Sequence, residues 1–156
     1  MIHVLYVDDE EILLDLAKLF LERTGKFVVD TASSAIGLVD SPTTGTYDAI
    51  ISDYMMPGMN GIDFLKAIRA KYPDMPFILF TGRGREEVVI EAINNGVDFY
   101  LQKGGDPKAQ FVELGHKVQQ AVKRRRAERE LYESEQRFSK AFHANPAISG
   151  LSELKT

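Results

Sequence analysis

Five polar side chains of the sequence lie at or just after the ends of short apolar runs. They are Asp8, Asp9, Asp53, Thr81 and Lys103. Carboxylate oxygens are the ligands that Mg²⁺ prefers, and a hydroxyl and an ammonium group can bind the oxygens of a phosphoryl group. Three carboxylates in one crevice repel each other unless a cation neutralises them. The set therefore predicts a site for a divalent cation and a phosphoryl group.

Each of these residues also has an ordinary structural interpretation. Asp8 and Asp9 could cap the helix that follows them, and Asp53 could form a turn before the segment MMPGMNG. Thr81 could simply end a strand, and Lys103 could be a solvated side chain. The functional interpretation is favoured because all five residues occur at the same kind of position, the carboxyl end of an apolar run.

Short apolar runs of the sequence alternate with segments of helical period. The predicted strands are Ile2–Val7, Phe27–Thr31, Tyr47–Ser52, Pro76–Thr81 and Val97–Leu101. The predicted helices are Glu10–Arg23, Ser33–Ser41, Gly61–Lys71, Glu86–Asn95 and a last helix from about Asp106 to Phe142. Such alternation predicts an α/β fold with a doubly wound parallel sheet and right-handed crossovers. Ligands of these sheets bind at the carboxyl ends of the strands, so the five polar residues should converge.

The composition of the chain is that of an ordinary globular protein. It has 156 residues, of which 44% are hydrophobic and 27% charged, and it has no cysteine, which excludes disulfides and thiolate metal sites. No apolar stretch approaches the roughly 18 residues of a membrane span. The N-terminus lacks a signal-peptide pattern, so we expect a cytoplasmic protein with no membrane partner. Residues 1–105 are acidic, which argues against nucleic acid as a partner.

Four motifs of the sequence resemble those of the response-regulator receiver domains of two-component signalling. They are VDDE after the first strand, DYMMPGMNG after the third, FTG after the fourth and FYLQK at the fifth. The resemblance covers about residues 1–122. It implies a flavodoxin-like five-stranded sheet of strand order 2-1-3-4-5 with five helices, the last of them extended.

The resemblance also implies a role for each acidic residue. Asp53 would be the phosphoacceptor, taking a phosphoryl group from the phosphohistidine of a histidine kinase or phosphotransfer protein. Asp8 and Asp9 would hold Mg²⁺ or Mn²⁺, with Asp53 and the backbone carbonyl of Met55 completing the protein ligands. Such a domain catalyses its own phosphorylation and dephosphorylation and is not a separate enzyme.

Three further residues would then read out the phosphoryl group. The resemblance implies that Thr81 and Lys103 each bind a phosphoryl oxygen, and that Tyr100 moves into the space that Thr81 leaves. The changed surface would be the face formed by the fourth predicted helix, the fifth strand and the fifth helix. A homodimer through this face, or through the C-terminal helix, is a further expectation.

Two loops of the sequence carry unusual turn residues. After Asp53, Pro57 and Gly58 predict a sharp turn, and Gly61 is expected to let the loop close over the site. After Lys103 the sequence has Gly104 and Gly105, where most receivers have a proline. This departure predicts a loop whose path is set by glycine dihedrals.

The C-terminal part of the chain is basic and differs from the rest. Residues 123–137 are predicted to form a helical linker, since acidic residues interleave with the Lys123–Arg126 run. Residues 138–156 resemble the start of a PAS sensor domain and are too short to fold as one. We therefore expect a fragment of a longer receiver–PAS protein, such as a hybrid histidine kinase, with downstream PAS or kinase domains.

Three other functions fit the sequence less well than this interpretation. A phosphatase with an aspartyl nucleophile would want two Asp residues separated by one residue at the first strand end, whereas Asp8 and Asp9 are adjacent. A dimerisation scaffold that is never phosphorylated would have no use for the full acidic set. A flavin-binding protein of similar topology would need a phosphate-binding loop after the first strand, and none is present in the sequence.

Overall fold

Five short strands form one parallel sheet in the computed structural model of the protein, which describes residues 1–82 and 85–144 and side chains as far as residue 140. The strands are β1 (Ile2–Val7), β2 (Phe27–Ala32), β3 (Ala49–Ser52), β4 (Phe77–Thr81) and β5 (Phe99–Gln102). Their order is β2-β1-β3-β4-β5, and every neighbouring pair is parallel. This confirms the predicted doubly wound, flavodoxin-like sheet.

Four α-helices accompany the sheet in the described part of the chain. They are α1 (Glu11–Arg23), α2 (Gly61–Lys71), α3 (Glu86–Asn94) and α4 (Pro107–Ala144). The start of α2 is fixed by Asn60, whose side-chain oxygen accepts a hydrogen bond of 2.9 Å from the N–H of Asp63. The long C-terminal helix is present as expected, since α4 contains 38 residues.

The two faces of the sheet bury separate apolar cores. Along β1, Val4 and Tyr6 point into the core formed with α1 and α4, whereas Leu5 and Val7 point into the core formed with α2 and α3. This alternation follows the two-residue period of a strand. Because both faces are covered, the strands are almost wholly apolar until their carboxyl ends, where polar residues begin.

The predicted helix Ser33–Ser41 is wrong, so the described chain has four α-helices where five were expected. Turns and a short 3₁₀-helix, Thr44–Thr46, occupy this crossover instead. Gly37 has a φ of 81°, which is incompatible with a right-handed helix. The Ser34 hydroxyl also accepts a hydrogen bond of 3.1 Å from the Ile36 N–H, so a local turn competes with helix formation.

The chain divides after Val122 into two compact units, Met1–Val122 and Lys123–Thr156. The predicted functions of these segments, a receiver domain and a linker followed by a PAS start, stay predictions. Of the PAS-like segment, residues 138–144 belong to α4 and residues 145–156 lie outside the described residues. No helix of the described chain is both long enough and apolar enough to cross a bilayer.

Candidate functional site

The carboxyl ends of four strands bring the predicted site residues together. The Asp53 N–H donates a hydrogen bond of 2.9 Å to the Val7 carbonyl, and the Lys103 N–H donates one of the same length to the Thr81 carbonyl. These bonds continue the pairing of neighbouring strands past their ends. The side chains of adjacent strand ends are therefore held at the same edge of the sheet, as the topology predicts.

Lys103 links two of the acidic residues. Its Nζ lies 2.6 Å from Oδ2 of Asp8 and 3.3 Å from Oδ2 of Asp53. The Lys103 side chain is 12% exposed, and those of Asp8 and Asp53 are 0% and 7% exposed. A single ammonium group thus lies between two carboxylates that are almost fully removed from water.

The acidic cluster in the structure differs in one member from the predicted set. Carboxylate oxygens of Asp8, Glu10 and Asp53 lie within 4.8 Å of one another. Asp9 is exposed and lines the cleft beside this cluster, so its predicted role as a metal ligand stays a prediction. Three carboxylates of this kind are the donor set that suits Mg²⁺, and the residues present therefore fit the ion.

A cleft of about 370 Å³ opens onto the cluster. It is lined by Asp9, Glu10, Asp53, Met55, Thr81, Gly82 and Lys103. Thr81 is 2% exposed and ends β4, next to the Asp53 carboxylate. The predicted phosphoacceptor and the two predicted phosphoryl-binding side chains, Thr81 and Lys103, thus border one cleft, whereas Tyr100 does not line it.

Burial dominates the electrostatics of the predicted phosphoacceptor. It raises the pKa of Asp53 above its ordinary value, although the Lys103 ammonium opposes this effect. The negative charge of Asp8 raises the pKa of Asp53 further, whereas a hydrogen bond from Thr81 lowers it. The groups of the protein alone therefore do not fully offset the cost of burying the ionised Asp53 carboxylate, and a bound cation would stabilise it.

A family model described as "Response regulator receiver domain" matches residues 4–114 of the chain. The chain belongs to this family. Its receiver domain is 34% identical over 110 residues to the response regulator SaeR of Staphylococcus aureus strain USA300. That match covers 69% of the chain and 46% of SaeR, so the chain spans about half the length of this curated relative.

Solved structures of receiver domains share the fold. A receiver domain protein from Clostridium thermocellum is 29% identical with a TM-score of 0.72, and the match covers 81% of this chain and 98% of that one. The response regulator TrrA from Thermotoga maritima, solved in complex with Mg²⁺ and BeF, is 30% identical with a TM-score of 0.66. The second match covers 78% of this chain and 99% of TrrA.

The loop after β3 in this receiver depends on two glycines. Gly58 has a φ of 84°, a backbone conformation that favours glycine. Gly61 donates a hydrogen bond of 2.8 Å to the Tyr54 carbonyl, and a Cβ on it would overlap the backbone oxygen of Asp53. Gly61 therefore allows the start of α2 to lie against the backbone of the predicted phosphoacceptor. Pro57, which directly precedes Gly58, is exposed.

The loop after Lys103 follows the prediction for a Gly-Gly sequence. Gly104 and Gly105 have φ values of 147° and 77°, both positive. A Cβ on either residue would meet nothing within 4 Å, so these glycines are required by the backbone path and not by crowding.

Tyr100 lies on β5 with its hydroxyl buried. In the described part of the receiver, its Oη has no hydrogen-bond partner. Burial raises the pKa of Tyr100, and the charge of Asp53 adds to this effect. A buried donor without a partner is free to take one when the neighbouring loop rearranges. The predicted movement of Tyr100 on activation stays a prediction.

Two residues at the site were not predicted from the sequence. The Glu10 N–H donates a hydrogen bond of 2.9 Å to Oδ1 of Asp8, which brings Glu10 next to the cluster. The Tyr6 hydroxyl donates a hydrogen bond of 3.2 Å to Oδ2 of Asp8, and burial raises the pKa of Tyr6. The spacing of Tyr6 and Asp8, two residues apart at a strand end, was the signal available for their contact.

Proposed function

We propose that the chain is the phosphoacceptor module of a two-component phosphorelay. Asp53 accepts a phosphoryl group from the phosphohistidine of a histidine kinase or a phosphotransfer protein. The observation that carries this proposal is the position of Asp53, whose carboxylate lies 3.3 Å from the Lys103 ammonium at the mouth of an acidic cleft. Membership of the receiver family supports the same reaction.

The chemistry requires that an anionic nucleophile approach an anionic phosphoryl group. Asp8 and Asp53, with the backbone carbonyl of Met55, would hold a Mg²⁺ ion, and Asp9 and Glu10 are further acidic groups at the cleft. The bound ion would offset the repulsion between the carboxylate and the phosphoryl oxygens. Lys103 moves from Asp8 to a phosphoryl oxygen, and the Thr81 hydroxyl donates to another.

Phosphorylation is then read out at a distance. The new phosphoryl group draws Thr81 and Lys103 toward it, and Tyr100 moves into the space beside Thr81. These movements alter the surface formed by α3, β5 and α4. Apolar residues lie exposed on this surface, with Ile90 and Ile93 on α3 51% and 62% exposed and Val112 on α4 51% exposed. They would support a homodimer or the binding of a downstream protein.

We also propose that the receiver is the N-terminal part of a larger signalling protein. Residues 123–137 would link the receiver to a PAS-like domain that begins within residues 138–156. The resemblance of residues 138–156 to the start of a PAS domain supports this view.

Direct phosphorylation tests the proposal. We expect acetyl phosphate or phosphoramidate with Mg²⁺ to add one phosphoryl group, seen as a mass increase of the intact protein. Asp53→Asn should abolish the labelling, whereas Asp63→Asn, which changes an exposed carboxylate on α2, should not. Labelling that persists in Asp53→Asn would refute the assignment of the phosphoacceptor. No labelling of the unaltered protein would favour an unphosphorylated scaffold.

A further inference from the structure

Tyr6 is a fully buried tyrosine directly beneath the acidic site. Its relative exposure is 0%, and its hydroxyl lies 3.2 Å from Oδ2 of Asp8. Its ring packs edge-on against Phe80, with the ring centroids 6.3 Å apart. Phe80 in turn lies under the ammonium of Lys103, 5.8 Å from the ring centroid. Tyr6 therefore contacts Asp8 through its hydroxyl, and its ring packs against Phe80, the ring beneath Lys103.

The hydroxyl of Tyr6 has no evident role in packing. The other members of its core cluster, among them Val4, Ile51 and Phe80, carry only hydrocarbon side chains. A phenylalanine would keep the ring and its contacts with this cluster. A buried hydroxyl must find a hydrogen-bond partner, and the one it finds is the carboxylate of Asp8.

Both oxygens of the Asp8 carboxylate accept hydrogen bonds. Oδ1 accepts the backbone N–H of Glu10 at 2.9 Å. Oδ2 accepts the Lys103 ammonium at 2.6 Å and the Tyr6 hydroxyl at 3.2 Å. Two of these donors are a backbone amide and the hydroxyl of a fully buried ring, whereas the third belongs to a long side chain that also contacts Asp53.

We propose that Tyr6 is a positioning residue for Asp8, and that its hydroxyl keeps the carboxylate oriented toward the cation when Lys103 moves to the phosphoryl group. The inference rests on the proposed function. Without the hydroxyl, the departure of Lys103 would leave Oδ2 without a donor from the protein. The carboxylate would then rotate or retain Lys103, and either change weakens the bound state. Hydrogen-bond partners of metal-binding carboxylates commonly have such an effect on affinity.

The test compares two tyrosine variants of the whole chain. Tyr6→Phe removes the hydroxyl next to Asp8 and keeps the ring. Tyr47→Phe is the matched control, because the Tyr47 hydroxyl donates a hydrogen bond of 2.7 Å to Asp30, away from the acidic cluster. We expect Tyr6→Phe to raise the dissociation constant for beryllofluoride in saturating Mg²⁺ by about tenfold, because Lys103 leaves Asp8 in that state. Tyr47→Phe should leave that constant unchanged.

The measurements are calorimetric titration with MgCl₂ alone, titration with beryllofluoride in saturating Mg²⁺, and thermal unfolding without metal. Weaker beryllofluoride binding in Tyr6→Phe, with cooperative unfolding retained, supports the inference. The inference would be overturned if Tyr6→Phe bound beryllofluoride as tightly as the unaltered protein or if both variants lost affinity equally. It would also be overturned if Tyr6→Phe no longer unfolded cooperatively. An unaltered protein that is not phosphorylated at Asp53 would instead refute the proposed function.

Discussion

Two hydrogen bonds from tyrosine to aspartate differ in burial, and we expect their loss to have different effects. The bond from Tyr6 to Asp8 is buried, because both side chains are 0% exposed, and a lost donor there is not readily replaced by water. The bond from Tyr47 to Asp30 lies at the surface, because the Asp30 side chain is 48% exposed. Only the first is therefore expected to influence ligand binding, whereas the second should contribute modestly to the stability of the fold.

The surface bond predicts a pH dependence of stability. The hydrogen bond from Tyr47 lowers the pKa of Asp30, and His3, 3.1 Å away, lowers it further. A lowered pKa in the folded state gives stability that is present above the ordinary carboxyl pKa and is lost as the pH falls through the lowered value. Lys18 acts on Asp30 in the same direction as His3.

We therefore expect Tyr47→Phe to reduce the free energy of unfolding by about 0.5 kcal/mol near neutral pH, a small effect because the pair is exposed to solvent. The difference from the unaltered protein should shrink as the pH falls from the ordinary carboxyl pKa of about 4 through the lowered pKa of Asp30, below which Asp30 is protonated in both proteins. Urea unfolding at several pH values measures this difference. A deficit that grows toward acidic pH would contradict the assignment.

At the scale of the elements, the edges of the sheet are covered by side chains from helices. At the β2 edge, the Lys18 ammonium of α1 donates a hydrogen bond of 2.7 Å to the Val29 carbonyl. The Glu22 carboxylate accepts one of 3.0 Å from the Val29 N–H. At the β5 edge, the Gln110 amide of α4 donates to the Gln102 carbonyl at 2.9 Å. These side chains occupy backbone groups that could otherwise pair with another strand.

Removal of the cover on β2 should promote self-association. The double variant Lys18→Met, Glu22→Leu leaves the Val29 amide and carbonyl open, and we expect light scattering to show association at lower protein concentration and on heating. The double variant Lys66→Met, Glu91→Leu is the matched control, since it removes a surface ion pair of 2.9 Å between α2 and α3. Equal association of the two variants would mean that the added apolar surface, and not the open edge, is responsible.

The elements also show which parts of the fold could be predicted from sequence. The strands were predictable because burial on both faces leaves them apolar. The helix Gly61–Lys71 was predictable from the apolar spacing of Ile62, Leu65 and Ile68, which are buried in the structure. The helix over Ser33–Ser41 was not, because its apolar spacing could not reveal the positive φ of Gly37. The acidic residues Asp8 and Asp53 were predictable since parallel strand ends converge.

Glu10 and Tyr6 escaped prediction for a different reason. Both contact Asp8, but each contact depends on detail that apolar spacing does not carry. Glu10 reaches the cluster because of the turn between β1 and α1, in which its N–H returns to Asp8. Tyr6 reaches it because β1 keeps a regular register to Val7 and the Asp8 N–H still bonds to Ala32, so that the side chains of Tyr6 and Asp8 point to the same face. Side-chain direction at element ends was therefore the missing information.

At the scale of the whole chain, the contribution of α4 to the core ends near the boundary between the two compact units. Its apolar residues up to Val122 are largely buried, with Val118 at 0% and Val122 at 3% exposure. Its later apolar residues Leu131 and Tyr132 are 61% and 62% exposed. The buried apolar residues of α4 in the described chain thus all belong to the unit Met1–Val122.

Truncation of the chain tests where the folded receiver ends. A chain that stops after Arg124 keeps every buried residue of α4 and should unfold cooperatively, with the same midpoint and the same phosphorylation of Asp53 as the full chain. A chain that stops after Lys117 lacks the buried residues Val118, Ala121 and Val122, whose loss should cost about 4 kcal/mol. Thermal unfolding and intact-mass phosphorylation compare the two. If the chain that stops after Arg124 melted without cooperativity, residues beyond Arg124 would have to be part of the receiver. The apolar surface buried up to Val122 would then be insufficient to stabilise the fold.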